Sequence, residues 1–248
     1  MLDLLLLVST GAFIAAGAVV GARLLLLAWR TRQLVDFVVG FSLFDLSAIA
    51  YPLILLGTFG GLPFESARYV FVGSTTALAL GWAGVFIFTL RVFRAGAGWA
   101  LALTAAGLAL LGYGYVESVR FAVGAPDLAA LRTPMNPVLW IEAAAIVVYV
   151  WTALEGFRCW EQARRRLALG LADPLVVNRF LLWGWIGAFA LVSVAPSFAI
   201  SLAGGDGTTS VPARLGTGIG GLACAIAMQL AFMPPAAYRR WLTGNATV

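Results

Sequence analysis

Asp45 is the residue best placed to do chemistry. It lies inside an apolar run, Val35–Gly60. It falls about ten positions from the predicted inner end of that run, so about 15 Å deep at ~1.5 Å per residue. That depth is near a bilayer midplane, where a charged carboxylate is costly and marks a functional site by default. Asp45 should face the bundle interior, protonated or paired. Its expected neighbours are Ser42 on the same helix, the Ser74-Thr75-Thr76 cluster of the next, and Gln229 near the chain's end. Gln229 sits roughly 12 Å from the inner end of its own helix. Such a group offers a contact for a proton, cation or ligand; equally, it offers a hydrogen-bonded tie between helices. Pro52 and Pro196 fall in the outer halves of two spans. Each removes a backbone donor and frees a carbonyl, and matched breaks are one pointer to a transport site.

A second concentration of specific side chains lies at the predicted inner face. It comprises Arg91 and Arg94, the stretch Asn178-Arg179, and Met233-Pro234-Pro235-Ala236-Ala237-Tyr238-Arg239-Arg240-Trp241. These groups fit an anchor on anionic lipid headgroups, and also a docking face for a cytoplasmic partner. Asp173 is a predicted N-cap with Pro174 behind it, and Pro234-Pro235 should end or kink the last span. Glu117 with Arg120, Glu155 with Arg158, and Glu161 with Arg164 or Arg165 have the spacing of solvated helix-end pairs. Glu142 is expected at an interface.

The absent residue types exclude several chemistries. All 16 basic residues are arginine, and there is no His. Without Lys no retinal or pyridoxal Schiff base forms, and without His there is no His-ligated haem or His-based zinc site. The two cysteines, Cys159 and Cys224, are far apart, which excludes a CxxC redox centre. The basic pI of about 9.8 does not imply nucleic acid, because the arginines flank apolar runs.

The elements that must hold these groups follow from composition. The chain is 62% hydrophobic and 11% charged, with mean hydropathy +0.95. A soluble domain is about 45–50% apolar and about 25% charged. Stretches of roughly 20 apolar residues span a bilayer. The runs Leu2–Trp29, Val35–Gly60, Arg68–Phe93, Ala97–Glu117, Pro137–Trp160, Leu175–Ala203 and Val211–Tyr238 meet that length. The expected fold is therefore an all-α, seven-helix transmembrane bundle, one domain over residues 1–248. Turns are expected at Gly60–Pro63, Ala125–Asp127, Thr133–Pro137 and Gly204–Gly207, and Ser118–Asn136 has room for a short interfacial helix. The first run has Asp3 at its start, where a signal peptide would carry a positive charge, and its apolar length far exceeds a typical signal core, so it does not read as a cleaved signal peptide.

Arginine placement predicts orientation. Arg23, Arg30, Arg32, Arg91, Arg94, Arg158, Arg164, Arg165, Arg166, Arg179, Arg239 and Arg240 fall on one side, against Arg68, Arg120, Arg132 and Arg214 on the other. The richer side is expected in the cytoplasm, with the N-terminus outside. Tyrosines and tryptophans, Tyr51 and Trp140 among them, are expected to form interfacial belts. Gly17/Gly21 and Gly216/Gly220 are small-residue pairs for close helix packing.

The stretches LALGLADPLVVNRFLLWG and MPPAAYRRW resemble those of uncharacterised bacterial seven-helix membrane proteins, a likeness that implies a multi-pass protein of the bacterial inner membrane and no particular activity. The third span, with Ala67-Arg68-Tyr69 followed by Thr75-Thr76, is similar to that of microbial rhodopsins. That likeness implies a shared scaffold only. Phe71 stands where a counter-ion carboxylate would be expected, and the Schiff-base Lys is missing.

The reading that results is a receptor- or sensor-like bundle that binds a small apolar ligand and signals through its cytoplasmic face. The alternatives are a small-solute transporter using Asp45, and a membrane enzyme acting on a lipid or isoprenoid with Asp45 as general acid. The enzyme ranks last because no second carboxylate is expected at comparable depth.

Overall fold

The computed structural model describes residues 2–133, 137–205, 207 and 210–244, with the backbone alone at Leu2 and Asp3. Pro134, Met135, Asn136 and Asp206 of the expected turns lie outside the described residues. Helix is the only regular structure among those described. Seven of the helices are long and apolar enough to cross a membrane. They are α1 (Leu2–Thr31), α2 (Leu34–Phe59), α3 (Phe64–Phe93), α4 (Gly98–Gly124), α5 (Val138–Ala168), α6 (Pro174–Leu202) and α7 (Val211–Phe232). A short amphipathic helix, α8 (Ala236–Gly244), follows.

Several ends differ from the sequence expectation, each for a local reason. The last span stops at Phe232 and not at Tyr238, because Pro234 and Pro235 lack the N–H groups that would continue it. Helix α4 runs on to Gly124, absorbing much of the expected loop, and leaves only the single turn Leu128–Leu131, capped by Asp127 Oδ1 accepting from Ala130 N–H at 2.8 Å. Helix α5 continues to Ala168, where the Glu161–Arg165 pair at 2.6 Å spans one turn of its exposed end. Asp173 caps α6 by accepting from Leu175 N–H at 2.7 Å.

Successive helices touch, α7 returns to α1, and α3 also contacts α5 across the ring. Glycines permit the closest approaches. Gly17 packs on Ser47 and Gly21 on the Phe44 backbone, so this pair joins α1 to α2. Gly216 and Gly220 join α7 to α6. Pro196 lies inside an unbroken α6, and the Val192 carbonyl, whose i+4 donor it removes, faces Gly216. A comparably close seam joins α5 to α6. A methyl on Gly156 would lie 2.5 Å from Gly184 N and 2.7 Å from its Cα, and backbone atoms cannot move aside. Gly156→Ala should therefore destabilise the bundle by about 1–3 kcal/mol. Gly112→Ala, with nothing within 4 Å of the added carbon, should be neutral or stabilising by up to about 1 kcal/mol. Thermal unfolding of the purified protein in detergent compares the two.

Candidate functional site

The segment Asp45–Ala50 of α2 is wound as a π-helix. Tyr51 N–H reaches the Leu46 carbonyl, five residues back. Pro52 follows at once; it has no N–H for the Ala48 carbonyl, and the wider winding takes up that break. Pro52 and Pro196 thus act differently: one sits beside a reshaped turn, the other lies on a packing seam. Single π turns are rare and concentrate at functional sites.

Asp45 opens this segment and is 4% exposed. It faces the backbone of α3 at Gly81, where an added methyl would come 3.1 Å from Asp45 Oδ2. Oδ2 has no hydrogen-bond partner among the described residues. One turn earlier, Ser42 packs on Gly84 of α3, and its hydroxyl donates to the Val38 carbonyl at 2.8 Å. Asp45 and Ser42 therefore share one glycine-lined face of α3. Ser47 Oγ, in the same π segment, and Ser9 Oγ of α1 are likewise buried without partners among the described residues.

The other expected neighbours are not bonded to Asp45. Thr75 and Thr76 donate to the Phe71 and Val72 carbonyls of their own helix at 2.7 and 2.8 Å, and Ser74 to Phe71 at 2.9 Å. Gln229 is half-buried on α7, and no hydrogen bond joins it to Asp45. What does lie beside the π segment is an aromatic group that sequence reasoning assigned to a belt. Tyr51 meets Phe13 of α1 edge-on at 5.1 Å and packs against the main core, as does Tyr149. The Tyr149 hydroxyl accepts from Trp82 Nε1 at 2.7 Å. Glu142 is itself half-buried on α5.

A second polar node closes the arginine-rich end, and here the sequence expectation is corrected. Glu155 is not a solvated partner of Arg158. It is 1% exposed. Arg94, just past α3, grips it with two bonds: Nε donates to Oε1 at 2.9 Å and Nη2 sits 2.9 Å from Oε2. Arg158 is the outer member at 3.5 Å. Arg94 also lies over Trp99, 5.7 Å from the ring centre, and its bond to Glu155 favours its charged form. One turn deeper, the Thr89 and Thr152 hydroxyls bond across α3 and α5 at 2.9 Å. A local signal for Glu155 exists in the sequence. It shares a helical stripe with Val148, Trp151 and Thr152, all buried.

The remaining residues of that end separate. Arg91 is exposed, while Tyr238 of α8 donates its hydroxyl to Asn178 Oδ1 of α6 at 3.1 Å. Arg179 and Arg239 flank this bond.

The chain matches no protein-family model, no curated protein and no solved structure.

Proposed function

We propose that this multi-pass membrane protein is a receptor- or sensor-like bundle in which Asp45 is the contact for a small, mostly apolar ligand. The supporting observation is the buried Asp45 Oδ2, which has no partner among the described residues and lies in a π-wound turn against bare glycine backbone. An aspartate that only tied α2 to α3 would be expected to satisfy both carboxyl oxygens, since a buried unsatisfied polar group costs about 1–3 kcal/mol. A ligand with one polar group in an otherwise apolar body would satisfy it. In this reading the arginine-rich end faces the cytoplasm of a bacterial inner membrane, rests on anionic headgroups, and reports to a protein partner. No nucleic acid, cofactor or enzymatic step is involved.

One observation favours a second reading, transport of a small solute with Asp45 as its coupling group. Tyr51, Tyr149 and Glu142 are further polar groups half-buried on α2 and α5. Proteoliposome flux separates the two. The sensor reading expects no solute or proton flux above that of protein-free vesicles. Flux that disappears in Asp45→Asn would replace it with the transporter.

A further inference from the structure

At the arginine-rich end a cavity of about 360 Å³ opens between α1, α6, α7 and α8. It gathers Arg23 of α1, Arg179 of α6 and Arg239 of α8, with Asn178 among them. None of these three arginines has an ion-pair partner among the described residues. No carboxylate lines the cavity. The nearest acidic residue in sequence, Asp173, is engaged as the cap of α6. Because Asn178 Oδ1 accepts from Tyr238, its amide nitrogen is left to donate. Guanidinium forks match phosphate oxygens in geometry as well as charge.

The same cavity adjoins a helix end that has lost two backbone donors. Leu230 and Ala231 line it at the end of α7, and Ala231 is 1% exposed. The residues four positions on, whose N–H groups would take their carbonyls, are Pro234 and Pro235. A helix end of this kind needs donors from elsewhere.

Three uncompensated guanidinium groups beside orphan carbonyls fit a group that is anionic and also carries hydroxyls. We propose that this cavity binds a glycerophosphate-type group, the phosphate on Arg23, Arg179 and Arg239 and the hydroxyls on the α7 carbonyls. A lipid headgroup and a soluble phosphate ester both present that chemistry. The inference rests on this end lying at headgroup level and is independent of the role of Asp45.

The test uses the full chain in vesicles of equal parts phosphatidylglycerol and phosphatidylcholine, then native mass spectrometry of retained lipid. Vesicle flotation first checks membrane placement separately. The wild type should retain one phosphatidylglycerol in preference to phosphatidylcholine, or else bind glycerol phosphate saturably. Arg179→Gln combined with Arg239→Gln should weaken that binding by about tenfold or more, the loss of at least one charge-assisted hydrogen bond. The charge-matched pair Arg166→Gln with Arg240→Gln should leave it nearly unchanged. If the double variant fails to fold, Arg239→Gln alone, on the exposed α8, takes its place. Competition of retained lipid by millimolar glycerol phosphate assigns the site to a soluble ester; no competition assigns it to the lipid. Absence of selective binding to either probe, or equal loss in the charge-matched control, overturns the proposal.

Discussion

Arg94→Met should be the most damaging single substitution of a charged residue in this protein, costing about 3 kcal/mol, the lower end of the range for a broken buried pair. The cost arises less from losing an attraction than from stranding Glu155. That carboxylate is 2% exposed in its side chain, and Arg94 supplies both of its close bonds. Arg158 stands 3.5 Å away with a side chain 59% exposed, so it can compensate in part and keeps the effect off the upper limit. The double change Arg94→Met with Glu155→Met should recover most of the loss, because replacing both partners of a buried pair by apolar groups is often neutral. Arg94→Lys should fall between, since an ammonium cannot reproduce the two-pronged grip. Chemical unfolding in detergent micelles gives all three values, and a double variant no better than the single one would show that Glu155 is not the stranded group.

Asp45→Leu should have the opposite sign. Leucine keeps the branched outline of the aspartate and removes an oxygen that has no partner. The unsatisfied group costs about 1–3 kcal/mol. Part of the recovered energy is offset because the larger methyls press on Gly81, where space is already limited. A net gain in stability of about 1 kcal/mol is expected, with loss of ligand response. Stability gained at the expense of function is the usual signature of a site residue. An aspartate whose role was to tie α2 to α3 would give a loss instead, so the sign of the change in unfolding midpoint decides between the roles.

The contrast between these two carboxylates shows what the sequence conveys. The seven spans were legible because the bilayer demands long, uninterrupted apolar runs, and 62% hydrophobic content leaves little else to make. Asp45 was legible for the same reason: a lone carboxylate interrupts such a run. The form of its surroundings was not. Pro52 announces a break, but whether a helix answers by kinking or by widening into a π turn depends on neighbours such as Gly81 and Gly17, which come from other helices. For Glu155 the sequence offers a correctly spaced partner, Arg158, which does stand 3.5 Å away, but spacing alone does not show that the carboxylate is buried. The partner that buries it, Arg94, is 61 residues away and met only through the contact of α3 with α5. Thr75 and Thr76 miss Asp45 because it meets α3 at Gly81, five to six residues further along, about 8–9 Å on the helix axis, and both threonine hydroxyls are taken by their own backbone.

The central claim, that Asp45 receives a ligand, is tested most directly by thermal unfolding of the purified protein against a panel of small, mostly apolar compounds, each with a single polar group. Wild type and Asp45→Asn are scanned side by side. A compound at about a hundredfold excess over its Kd stabilises the folded state by ~2.7 kcal/mol. For a chain of this size that raises Tm by about 5–10 °C. At least one such shift is expected in the wild type, absent from Asp45→Asn although that variant unfolds normally without ligand. Shifts of equal size in both proteins, or none in either across the panel, would contradict it.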